Sequence, residues 1–222
     1  RVFTDKALRS KDDVTSRTQI PFVGLVASAR ESVTSEDFIS KPKSRLVETF
    51  RAVRTSLKYI LIEEGPKVLI VSSCFPGEGK TFVSSRMSLS YSLAGKKVIL
   101  LGADLRKPKL QDEFDVKHNE QGLSSYLSSD IALDKVVTKI SDSLDVLFSG
   151  PIPPNPMELL DSDKFSELLT TLKKSYDLII IDTSPFMLVS DTRAIINRAD
   201  LTVLVLRSGY SRKENLIQTQ EL

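Results

Sequence analysis

Short aliphatic runs alternate with stretches of helical periodicity along most of this chain. Val68–Val71, Val98–Leu101, Leu144–Leu147, Leu178–Ile181 and Leu201–Leu206 have strand length. They are apolar nearly throughout, as expected of strands buried on both faces. Between them, residues 81–93, 156–174 and 191–198 read as helical, and another helix opens near Arg212. Earlier, Leu46, Phe50, Val53, Leu57 and Leu61 fall on one stripe at 3.6-residue spacing, predicting an amphipathic helix over 45–62 that Gly65-Pro66 ends. Residues 109–140 are mixed, with short helical pieces. Pro21–Val26 reads as an edge strand, and residues 1–20, polar and without period, as an arm. The alternation predicts an α/β fold, a doubly wound and mostly parallel sheet with right-handed crossovers. Residues 1–43 would form an N-terminal arm and 44–222 the domain.

Composition narrows the chemistry. The 222 residues carry 31 Lys+Arg against 29 Asp+Glu, a formal charge of +2, and so lack the basic excess of a dedicated nucleic-acid binder. One Cys and one His exclude an internal disulfide, a Cys/His zinc site and a Cys-pair redox motif. No apolar run reaches the ~18 residues of a membrane helix, and no signal peptide opens the chain. A first residue that is Arg1 rather than Met suggests a piece of a longer protein.

The most informative stretch is Val68-Leu69-Ile70-Val71-Ser72-Ser73-Cys74-Phe75-Pro76-Gly77-Glu78-Gly79-Lys80-Thr81, an apolar strand running through a turn into a helix. In that context, Gly77-Glu78-Gly79-Lys80-Thr81 reads as a phosphate-binding P-loop, where main-chain N–H groups and a helix N-terminus surround phosphates. Phe75, Pro76, Gly77, Glu78, Gly79, Lys80, Thr81 and Phe82 are the candidate nucleotide contacts. Lys80 would reach the β- and γ-phosphates and Thr81 would ligate Mg²⁺. The general pattern asks for Gly at position 74, which here is Cys74. That residue reads either as a small packed side chain or as a redox sensor.

A nucleotide site also needs acids. Asp182 ends the run Leu178–Ile181, at the carboxyl end of a buried strand, where doubly wound sheets place their ligands. It reads as a Mg²⁺-holding acid or as a loop cap. Asp104, just past Val98–Leu101, is a second candidate for the same phosphates.

Together these stretches resemble the cytoplasmic domain of the bacterial tyrosine autokinases (BY-kinases) of capsule and exopolysaccharide export, whose fold relatives are the MinD- and ParA-like P-loop ATPases. Residues 72–81 look like the family's Walker A, in which position 74 is often not Gly. Asp104-Leu105-Arg106-Lys107-Pro108 looks like its A′ segment, Tyr176–Pro185 like its Walker B, and Ser149–Leu160 like its Pro-rich signature. Glu48, Arg51 and Arg54 match its E-x-x-R-x-x-R helix. On the residues alone those three read as a solvated face with weak internal pairs; the resemblance makes them an inter-subunit surface.

The resemblance implies an ATP- and Mg²⁺-dependent protein-tyrosine kinase regulating polysaccharide polymerisation and export by phosphorylating neighbouring subunits. Its catalytic residues would be Lys80, Asp104 and Asp182, with Thr81, Asp104 and Asp182 around the metal. A free phenol has a pKa near ~10, so Asp104 would serve as general base. Implied partners are further copies of the chain in a ring, a membrane chain-length-determinant segment on the same parent chain or a separate activator, and a cognate phosphatase, at the cytoplasmic face of the inner membrane. Residues 1–20 resemble the family's juxtamembrane linker. Two departures stand out. Gly102 replaces the first Asp of the usual Asp-x-Asp. The family's closing strand and Tyr-rich tail are not evident, and Tyr59, Tyr91, Tyr126, Tyr176 and Tyr210 are scattered. The alternatives are a MinD/ParA-like ATPase switch, which the absence of Lys near position 74 disfavours, or a catalytically weak nucleotide-binding scaffold.

Overall fold

The computed structural model describes residues 6–27, 34–114, 116 and 121–218. Among these residues six strands, β1 (Lys67–Ser73), β2 (Val98–Gly102), β3 (Val137–Ser141), β4 (Leu144–Leu147), β5 (Leu178–Asp182) and β6 (Leu201–Val205), form one sheet in the order β3-β4-β2-β5-β1-β6. All neighbours pair in parallel except β3, which runs antiparallel to β4. The aliphatic runs form the strands because both faces are covered. On one face Leu69, Val71, Leu100 and Ile180 pack with Phe38, Phe50 and Leu57. On the other, Ile70, Ile99 and Ile181 pack with Phe165, Leu168 and Ile195.

The described helices are α1 (Lys11–Thr15), α2 (Ser35–Ser40), α3 (Arg45–Ile60), α4 (Lys80–Ser92), α5 (Leu123–Ser128), α6 (Pro156–Asp161), α7 (Asp163–Leu172), α8 (Asp191–Ile196) and α9 (Lys213–Gln218), of which α3, α4 and α8 matter for the site. The apolar stripe of α3 is buried as its spacing requires, with Phe50 and Leu57 fully inaccessible. The segment predicted as one helix over 156–174 is two, Pro156–Asp161 and Asp163–Leu172, divided at Ser162. That serine turns to extended backbone, and its side chain accepts the N–H of Phe165 as an N-cap, an alternative that small hydroxyl residues offer the backbone.

Pro21–Val26 is not a strand. Val23 and Val26 pack on the core instead, and Gly24 lies so close to α3 that a Cβ there would stand 3.0 Å from Val53 Cγ2. Side-chain packing, rather than a ladder, holds this stretch. Within the predicted arm, the helix Ser35–Ser40 buries Phe38 edge-on against Phe50, centroids 5.7 Å apart. Leu8 is buried too, and its N–H donates to the Ser211 carbonyl at 2.8 Å. Leu8, Val23, Val26 and Phe38 therefore lie against the rest of the chain.

Candidate active site

β1 and β5 are neighbours with Val71 opposite Asp182, and β5 and β2 with Asp182 opposite Gly102. This register brings the loops after three strands to one sheet edge, the expected ligand position in such folds. The turn after β1 leads into α4 through Gly77 (φ +82°) and Gly79 (φ +98°), conformations that favour glycine. Gly79 caps α4 with no side-chain hydrogen bond. The first N–H groups of a helix have no intrahelical partner, so here they are left for an anion.

The loop is braced from beneath. Glu78 is buried, and its carboxylate accepts the Phe75 N–H at 2.7 Å and the Ser211 hydroxyl. Burial pushes the Glu78 carboxyl up, opposed by these hydrogen bonds and one from the Cys74 N–H. Arg207 donates to the Gly77 carbonyl and the Tyr210 hydroxyl to that of Pro76, each at 3.0 Å. Cys74 is buried, and burial followed by the nearby Glu78 charge pushes its thiol up to about 12. A thiol so raised is an inert packed side chain. Phe82 directs its ring into the core, T-shaped to Phe50 at 6.2 Å, with the Arg86 guanidinium 5.1 Å away.

Lys80, Asp104 and Asp182 come together. Lys80 Nζ lies 3.0 Å from Asp104 Oδ2, both side chains largely buried. Asp104 Oδ1 accepts the Ser184 hydroxyl at 2.8 Å and the Lys107 N–H at 3.1 Å. Asp182 is 1% exposed, and burial raises its carboxyl from 3.8 to about 7, opposed by the Lys80 charge and by the Thr81 hydroxyl. Its Oδ1 has no hydrogen-bond partner. An orphaned buried carboxylate oxygen beside a hydroxyl fits a hard cation such as Mg²⁺, which takes oxygen ligands. Among the described residues no cluster of three or more His, Cys, Asp or Glu could hold a metal alone. That suits Mg²⁺, which is typically bound by one or two protein oxygens together with phosphates.

Gly102 gives the site its departure a physical form. A Cβ there would stand 2.7 Å from Ser149 Oγ and 3.0 Å from Ser149 N. The space for a carboxylate is taken by the loop after β4. Other members of the site were not singled out by the sequence, although Arg106, Ser149 and Ser184 fall inside the motif stretches. Arg106 makes a two-pronged pair with the buried Asp191 of α8, at 2.6 and 3.0 Å, and Ser184, Ser149, Arg207, Tyr210 and Ser211 join only through the fold. Adjacency of strand ends is the signal that could have found them, and it requires the strand order.

Glu48, Arg51 and Arg54 stand apart from this site on α3. Glu48 and Arg51 pair with each other on the exposed face. Arg54 turns inward and donates to the Ser90 carbonyl, about 15 Å along α4 from Lys80 at 1.5 Å per residue.

Comparison with known proteins agrees with this geometry. The AAA domain family profile matches residues 66–219. The tyrosine-protein kinase YwqD of Bacillus subtilis is 38% identical over 184 residues, covering 82% of this chain and 77% of that protein. A putative tyrosine-protein kinase in the cps region of Klebsiella pneumoniae is 42% identical over 167 residues, 75% of this chain but 23% of the relative. The chain thus spans less than a quarter of that larger relative. The crystal structure of the chimerical protein CapA2B2 superposes with a TM-score of 0.86 at 30% identity, covering 96% of this chain and 92% of that one. The septum site-determining protein MinD of Pyrococcus horikoshii, at TM-score 0.53 and 24% identity over 64% of this chain and 58% of its own, shares the fold. With its P-loop, its paired acids and these relatives, the chain belongs to the bacterial tyrosine-kinase family of AAA-type P-loop domains.

Proposed function

We propose that this chain is an ATP- and Mg²⁺-dependent protein-tyrosine kinase domain. The observation that carries the reading is the meeting of Lys80, Asp104 and Asp182 within a few ångströms of an uncapped helix N-terminus. The main-chain N–H groups at Gly79, Lys80 and Thr81 bind and orient phosphate oxygens, and Lys80 leaves Asp104 to neutralise charge on the transferring group. Thr81 and Asp182 would hold Mg²⁺, which supplies charge neutralisation across the phosphates. Asp104 accepts the proton of the tyrosine hydroxyl while its oxygen bonds the γ-phosphorus. The bridging P–O bond breaks with its electron pair leaving on ADP.

The names of the relatives support a setting. YwqD is named a tyrosine-protein kinase and the Klebsiella protein is assigned to a cps region. They support a role in controlling polysaccharide polymerisation and export at the cytoplasmic face of the bacterial inner membrane, with a membrane segment of the parent chain or a separate activator as partner. The chimerical name CapA2B2 supports such a partner. Copies of the chain would meet in a ring through Glu48 and Arg51 of α3, with Arg54 fixing that helix on α4, and a cognate phosphatase would reset it.

A scaffold reading is favoured by one observation, the sealed space at Gly102. Incubation with ATP and Mg²⁺ followed by phosphotyrosine blotting, using a tyrosine-containing peptide as acceptor, separates the two. Signal lost in Lys80→Met and Asp104→Asn supports the kinase. Nucleotide binding without phosphotyrosine supports the scaffold, and hydrolysis without phosphotyrosine an ATPase switch.

A further inference from the structure

Ser184 enters none of the chemistry above, yet its side chain is aimed at the proposed base. It is 2% exposed and Asp104 is 5% exposed, so their 2.8 Å hydrogen bond is formed out of water. The serine cannot easily drift. Its carbonyl accepts hydroxyls from two sides, Ser72 of β1 at 3.0 Å and Thr192 of α8 at 2.7 Å. The preceding Thr183 places both its N–H and its hydroxyl on the Val71 carbonyl, at 3.2 and 3.1 Å. Pro185 follows, with its φ fixed by the ring.

This makes the two oxygens of Asp104 unequal. Oδ1 takes two donors, the Ser184 hydroxyl and the Lys107 N–H, whereas Oδ2 faces Lys80. The terminal torsion of an aspartate is broad and roughly two-fold, so without an anchor either oxygen could turn toward the reaction centre. We propose that Ser184 is a positioning residue: by holding Oδ1 it leaves Oδ2 as the oxygen presented to the acceptor tyrosine when Lys80 turns to the phosphates. The phenolic proton then passes to Oδ2 as the phenolic oxygen bonds the γ-phosphorus and the electron pair of the broken bridging bond leaves on ADP. The inference rests on the kinase reading, and it deepens that reading by naming the oxygen that works and the side chain that selects it.

The test is steady-state transfer from Mg²⁺-ATP to a tyrosine-containing peptide by the full chain, its Ser184→Ala, Ser184→Thr and Asp104→Asn variants, and the Ser184→Ala/Asp104→Asn double. Loss of orientation predicts kcat roughly tenfold lower in Ser184→Ala, with KM for ATP within about twofold of the parent. Ser184→Thr, which keeps the hydroxyl, recovers most of kcat. The double variant is no slower than Asp104→Asn, because a positioning group has nothing left to position. An unchanged kcat in Ser184→Ala overturns the inference, as does a rise in KM equal to the fall in kcat/KM. So does an equal further loss on the Asp104→Asn background. A parent chain that binds ATP but transfers nothing to tyrosine removes the kinase reading as well, whereas an active parent with an unaffected Ser184→Ala removes the inference alone.

Discussion

The two ends of α4 are finished in opposite ways. At its N-terminus Gly79 offers no side-chain cap, and the first amides face the phosphate loop. At its C-terminus Arg54 of α3 crosses to the Ser90 carbonyl. A helix carries partial positive charge at its first end and partial negative charge at its last. The chain supplies its own cation to the negative end and keeps the positive end for an anion from outside. The contrast teaches which polar groups are structural and which are held ready. Glu78, buried among the loop's own N–H groups, is structural; the amides on the other side of the same loop are held ready. Arg54 is likewise spent inside the subunit, leaving Glu48 and Arg51 as the outward members of that trio.

The largest break in this contrast comes at the open end. Lys80→Met removes the side chain aimed at the phosphates and lowers tyrosine transfer by about a hundredfold or more, measured by peptide phosphorylation. Next is Gly102→Asp, which restores the carboxylate of the family pattern but drives a Cβ to 3.0 Å from the Ser149 main chain. Overpacking of this kind costs about 1–3 kcal/mol, seen as a lower urea midpoint, and transfer does not improve.

A third effect is on pH. Burial raises the Asp182 carboxyl from 3.8 to about 7, so the folded ligand-free protein holds a proton that the unfolded chain releases near 3.8. The stability from that proton is complete below about pH 4 and is lost as pH climbs through about 7. Thermal melts across this range show the decline, and Asp182→Asn flattens it. The smallest effect lies at the closed end. Arg54→Ala leaves the Ser90 carbonyl to water at a cost of about 1 kcal/mol, a drop of about 2–4 °C in melting temperature, with transfer to peptide nearly unchanged.

Much of this was legible in the sequence because it is local. Five of the six described strands are aliphatic runs; Asp104 and Asp182 lie at or just past the ends of two of them, and Lys80 and Thr81 open the helix that follows a third. β3 was not legible: Val137–Ser141 is only partly buried, and Thr138, Lys139 and Ser141 give it neither an aliphatic run nor a strict alternation. It is a strand because β4 lies beside it. Nor were Ser184, Ser211 and Asp191, whose roles arise from contacts 80, 133 and 85 residues away in sequence. The filled space behind Gly102 depends on Ser149, which reaches it only through the pairing of β2 with β4. Spacing reports what a helix or a turn brings together; it is silent about neighbours that only the sheet creates.

On the proposed function, the open end of α4 and its two acids receive a magnesium-bound nucleotide. Calorimetric titration of the full chain with ADP, with and without Mg²⁺, tests it most directly, beside Lys80→Met and Asp182→Asn. Saturable binding that Mg²⁺ strengthens is expected, with the Mg²⁺ gain lost in Asp182→Asn and the affinity itself lowered at least about tenfold in Lys80→Met. Equal affinity in all three proteins, indifferent to Mg²⁺, would contradict it.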